Sequence, residues 1–179
     1  MQETPFGPVL NNVLEGIGKT PMVRVSNIDT GPCELFLKLE ANNPGGSIKD
    51  RIGLAMIEAA EKDGRLKPGG AIVEATAGNT GLALALVAAQ KGYPFTVVVP
   101  DKMAQEKIFH LKALGADVRL TAPTSPKDIR NTIRKLPNPS PMRPGHSMSI
   151  SLAMRRTRRP MKQSLALKYG DRWARIWTP

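Results

Sequence analysis

Along the first 122 residues the apolar positions change period repeatedly, from two to about three and a half and back. Met22–Val25 reads as a strand. The stretch Glu34-Leu35-Phe36-Leu37-Lys38-Leu39-Glu40 alternates polar and apolar side chains, the pattern of a half-buried strand. Over Lys49–Lys62 the spacing predicts a helix with Ile52, Met56, Ala59 and Ala60 on one face, Ser47 placed to cap it and Gly64 to end it. Ala71–Ala75 predicts a short strand. The following helix, Asn79–Lys91, is apolar on every side between Leu82 and Ala89, so it belongs between layers. Residues 95–99 are almost wholly apolar and suit the interior of a parallel sheet. A helix over about residues 104–114, closed by Gly115, and a strand over residues 117–120 follow. A short helix over residues 11–16 and a Gly18-Lys19-Thr20-Pro21 turn precede them all. This alternation predicts an α/β fold, an open mostly parallel sheet with flanking helices. Ligands of such sheets sit beyond the carboxyl ends of the strands, where the loop over residues 76–81 falls.

The pattern stops after Thr121. Prolines stand at 123, 126, 137, 139, 141 and 144, and no apolar period is sustained. Charge changes at the same place. Residues 1–122 carry 13 basic and 13 acidic side chains, whereas residues 123–179 carry 13 basic and 2 acidic, which places the whole net charge of +11 in the tail. The expected organisation is therefore one unit over residues 1–122 and an irregular, disordered basic tail over residues 123–179. Arg155-Arg156-Thr157-Arg158-Arg159 with Trp173 and Trp177 offers one alternative function, nucleic-acid binding by charge and stacking. A single cysteine, Cys33, rules out an intramolecular disulfide; beside a strand it reads as a small core residue rather than a nucleophile. The first residues lack the basic and apolar regions of a leader, and no apolar run approaches the roughly 20 residues that span a bilayer. A cytoplasmic protein without membrane contact is the expectation.

Two segments carry chemistry: Asn43-Pro44-Gly45-Gly46-Ser47-Ile48-Lys49-Asp50-Arg51 and Thr76-Ala77-Gly78-Asn79-Thr80-Gly81. Each sets a polar residue at the start of a helix, behind a turn of small residues whose N–H groups can face an anion. A single lysine is ordinarily a solvated charge, and Thr-Ala-Gly-Asn-Thr-Gly alone resembles many capping turns. The length of the first motif, and the 30-residue interval from Lys49 to Asn79, make the pair specific. His110, inside a helix, reads as a surface or packing residue.

Together these motifs resemble the pyridoxal-phosphate (PLP) enzymes of the cysteine synthase and cystathionine β-synthase family, of tryptophan synthase β-like fold. The resemblance covers most of residues 10–121, including Gly18-Lys19-Thr20-Pro21-Met22-Val23 and Pro100-Asp101-Lys102-Met103. Ser-Ile-Lys-Asp-Arg is closer to that family than to threonine dehydratase. The resemblance implies that Lys49 is the Schiff-base lysine and the acid/base at the substrate α-carbon. Arg51, two residues on, is expected to set a second positive charge beside it. The resemblance also implies that Asn79 contacts the cofactor ring hydroxyl, and that Thr76, Ala77, Gly78, Asn79 and Thr80 bind the substrate carboxylate. Ala77 stands where serine is common in the family. The activity implied is β-replacement on serine or an activated serine to give cysteine or cystathionine. It needs PLP, a small amino-acid substrate and no metal, in a protein that is usually a homodimer.

Nothing after Ala122 resembles the family's Gly-rich phosphate loop or its late serine partner for the ring nitrogen. A constant shift of reading frame would account for this: codons allowed by Met148-Ser149-Ile150-Ser151-Leu152-Ala153, read from the third base of Met148, can spell V-N-Q-F-G, family-like text. The tail is accordingly expected to be out of frame from about residues 122–125, and the chain truncated and inactive. A second alternative is a non-catalytic partner of an intact homologue.

Overall fold

The computed structural model describes residues 3–5, 7–76, 78–122 and 147–149. The Pro/Arg-rich segments, the basic cluster at 155–159, Trp173, Trp177 and Ala77 lie outside them. Two short strands, β1 (Glu3–Thr4) and β2 (Gly7–Pro8), pair antiparallel. A 3-10 turn over Val13–Gly16 stands where the short helix was expected; Asn12 caps it by accepting the Leu14 N–H at 2.9 Å. Strands β3 (Met22–Val25) and β4 (Leu35–Lys38) then form an antiparallel hairpin.

The main body alternates helix and strand as the periodicity predicts: α1 (Lys49–Lys62), β5 (Ala71–Ala75), α2 (Asn79–Lys91), β6 (Phe95–Pro100), α3 (Gln105–Ala113) and β7 (Asp117–Thr121). The sheet order is β7-β6-β5-β8, with all pairings parallel. The fourth strand, β8 (Ser147–Ser149), falls within the segment read as irregular, and it takes the free edge of β5. Exposed N–H and C=O groups along a strand edge are a template that even three residues can pair with.

Helices α1, α2 and α3 pack side by side, with α2 against both β5 and β6. Leu84, Val87, Ile57, Ile72, Val97, Val99 and Leu111 are fully buried there. Helix α1 turns Asp50, Gly53, Met56, Ile57 and Ala60 inward, whereas Ile52 and Ala59, expected on that face, are half-buried. Helix α2 is buried along nearly its whole length, as its sequence requires.

Two expectations fail. Cys33 is exposed, in the β3–β4 connection, and not a core residue. Strand β4, expected to be half-buried, is also largely exposed, Phe36 and Leu37 included, as are Met22 and Val23 on β3. Alternation buries one face only where another layer covers it, and among the described residues β3 and β4 pack mainly on each other.

Helix α1 approaches α2 closely at Gly53. A Cβ there would lie 2.9 Å from the Ala83 Cβ and 3.0 Å from the Ala83 carbonyl carbon. Backbone cannot step aside as a flexible side chain can, so Gly53→Ala must push the helices apart. We expect a loss of about 1–3 kcal/mol, read as a lowered urea midpoint with unchanged slope.

Candidate active site

Helix α1 starts where the chain leaves the Asn43–Gly46 turn, whose Gly46 N–H donates to the Asn43 carbonyl at 2.7 Å. Ser47 acts as the cap that its sequence position predicts: its Oγ accepts the Lys49 N–H at 3.2 Å. Lys49 is thereby fixed at the first turn, where the helix dipole is positive. Its side chain is half-buried, and among the described residues its amine makes no hydrogen bond or ion pair. Lys38 and Lys91, by contrast, are engaged by the Thr20 carbonyl and by Glu61.

The second motif starts at the carboxyl end of β5. The Thr76 N–H continues the ladder to the Val98 carbonyl at 3.2 Å, and the Gly78 N–H lies 3.4 Å from Thr76 Oγ1. Helix α2 begins at Asn79; the Gly81 N–H donates to the Gly78 carbonyl at 3.0 Å, while the N–H groups of Asn79 and Thr80, ahead of the helical ladder, have no intrahelical acceptor. Nothing stands within 4 Å of where a Gly78 Cβ would be, so backbone is open at the turn. Gly81 is required by close approach: a Cβ there would sit 2.8 Å from the Thr76 methyl. Thr76, Gly78, Asn79 and Thr80 thus surround one helix N-terminus.

One bond joins the two motifs. Asn79 Nδ2 donates to Ser47 Oγ at 3.2 Å, across 32 residues of sequence. Sequence reasoning gave Ser47 only its capping role; spacing alone carries no sign of a bond to Asn79.

A polar cluster outside the motifs supports the first turn of α1. Arg51 donates from Nε to Glu40 Oε2 at 2.9 Å and from Nη2 to Glu40 Oε1 at 3.0 Å, and Nη2 also reaches Thr20 Oγ1 at 3.2 Å. The Thr20 hydroxyl donates to Glu40 at 2.8 Å, and the Asn43 amide donates to it at 3.0 Å. Arg51, foremost among these donors, holds the Glu40 carboxyl down at about 2, against the opposing effect of burial. The guanidinium is therefore neutralised by a carboxylate, and does not stand as a free charge near Lys49. Asp50, fully buried, accepts the Gly45 N–H; burial pushes its carboxyl above the ordinary range while that bond pulls it back.

The turn at Gly18-Lys19-Thr20 wraps this cluster, and Lys19 has φ +48°, the left-handed region. A side chain there costs roughly 1–2 kcal/mol, less for asparagine. Lys19→Asn should therefore raise thermal stability, by up to about 1 kcal/mol. His110 is exposed on α3. Among the described residues no group of three His, Cys, Asp or Glu could hold a metal, and no helix is long and apolar enough to cross a membrane.

A half-buried lysine, unengaged among the described residues, and an asparagine thus stand at neighbouring helix N-termini of an α/β sheet. Residues 13–151 match the pyridoxal-phosphate dependent enzyme family, and the chain belongs to it. The match continues beyond Ala122. Among its relatives, cystathionine beta-synthase of Mus musculus is 53% identical over 113 residues, 62% of this chain and 20% of its own length. Cysteine synthase of Staphylococcus aureus is 50% identical over 113 residues, 63% of this chain and 36% of its own. Among solved structures, a hydrogen sulfide-producing enzyme from Fusobacterium nucleatum superposes with a TM-score of 0.71 at 38% identity, covering 82% of this chain and 47% of that one. Cysteine synthase from Entamoeba histolytica gives 0.70 at 34%, covering 84% and 45%. The chain thus spans between a fifth and about a third of the curated relatives it matches, and under half of these solved chains.

The residues present fit the amine and ring side of PLP. Lys49 offers an amine free among the described residues, Asn79 an amide held by Ser47, and α2 the N–H groups of Asn79 and Thr80, suited to an anion.

Proposed function

We propose that this chain carries the lysine-bearing half of a PLP-dependent β-replacement site. It would act on serine or an activated serine to form cysteine or cystathionine. What carries the reading is the union of an unengaged Lys49 amine with Asn79 through Ser47, at the N-termini of α1 and α2. PLP, when bound, supplies an electron sink for charge developing at the substrate α-carbon. Lys49 holds the cofactor covalently and moves the α-carbon proton with the same amine. Asn79 contacts the ring hydroxyl and holds it in one orientation. Thr76, Gly78 and Thr80, with the first N–H groups of α2, receive the substrate carboxylate; Ala77 in the same turn lies outside the described residues. A homodimer and a cytoplasmic location go with this reading.

Holding the cofactor phosphate is the weak point of the 179-residue chain. No Gly-rich run follows Ala122, and phosphate is held best by a nest of backbone N–H groups. We expect weak PLP affinity and little or no turnover, so the test does not depend on turnover. The full chain is saturated with PLP, reduced with borohydride and mapped by mass spectrometry. Label concentrated on Lys49 supports the reading. Label spread over exposed lysines sinks it.

A further inference from the structure

We propose that Ser47 is a positioning residue, holding the Asn79 amide toward the Lys49 end of the site. A serine oxygen has two acceptor lone pairs. The Lys49 N–H and Asn79 Nδ2, both at 3.2 Å, occupy them. Ser47 is buried, so water cannot readily replace either donor, whereas Asn79 is an exposed side chain that would otherwise swing between rotamers. One atom therefore links the helix that carries the lysine to the side chain that opens the other helix. The second Nδ2 hydrogen and Oδ1 of Asn79 stay available to a ligand. Capping alone explains the bond to Lys49 and not the one to Asn79.

The proposal rests on the reading that Asn79 contacts the PLP ring. Ser47→Gly separates the two roles, because glycine at a cap position costs little while removing the hydroxyl. The full chain, S47G, N79A and the double variant are titrated with PLP and followed by its visible absorption. We expect S47G to weaken binding about tenfold and to shift the band, and the double variant to bind within about twofold of N79A. Ser47→Thr should restore most of the affinity. Two effects that multiply in the double variant overturn the proposal. If the parent chain takes up no PLP, the function proposed above has failed, and urea unfolding of the same four chains decides this one. Non-additivity of about threefold or more in the folding equilibrium constant then supports it, and additivity overturns it.

Discussion

Replacing Lys49 with alanine should abolish borohydride-fixed PLP in the α1 region and lower whatever turnover the chain has by about 10²–10⁴-fold. On the function proposed here the size follows from two tasks resting on one amine, since the group that would hold the cofactor would also transfer the α-carbon proton. Three other described lysines are poorly placed to take over. Lys38 is held by the Thr20 carbonyl, Lys91 by Glu61, and Lys62 sits at the far end of α1. Stability should barely change, because Lys49 is half-buried and its amine has no partner among the described residues to lose. A variant that loses label and keeps its urea midpoint shows a chemical role. One that loses both shows a structural one.

Arg51→Ala should cost about 2–4 kcal/mol. Removing one member of a buried ion pair costs about 3–5 kcal/mol, and here the side chains keep 25% and 20% exposure, which reduces the penalty. The loss is still large, since Glu40 forfeits a two-pronged partner and retains only Thr20 and Asn43. Lysine at 51 recovers part of it at most, as a point charge cannot reproduce the fork. The same pair makes the fold sensitive to acid. Glu40 titrates near 4.5 when unpaired and at about 2 in the folded chain. Its contribution is complete above about pH 4.5 and drains away as pH falls toward 2. The amount is about 1–3 kcal/mol after allowing for solvent screening. Glu40→Gln should flatten stability against pH across that window. An unchanged acid profile in urea melts would refute the assignment.

Much of this architecture is legible before any coordinates, for a local reason. The bounds of α1, α2 and β5 follow from period, capping serine and closing glycine, and neighbouring residues settle each of these. What the sequence hides is contact across distance. Thr20 and Arg51 meet across 31 positions, Asn79 and Ser47 across 32, and no local pattern records either meeting. Exposure of β4 was misjudged for the same reason. Alternation shows which side chains share a face, while burial depends on whether another layer arrives. Ser47 shows the limit within the site itself: its capping role is local and visible, its bond to Asn79 is neither.

Gly53 lies four residues after Lys49, and Ala83 four after Asn79, so this point of contact between α1 and α2 sits about one helical turn beneath Lys49 and Asn79. The helix pair acts as a ruler whose shortest mark is a missing methyl group. Thickening that mark at residue 53 would widen the gap between amine and amide one turn above. A lineage that keeps its chemistry is thereby confined to the smallest residues at 53 and 83, although neither meets the substrate. Intolerance to substitution should surface at a position with no reactivity of its own.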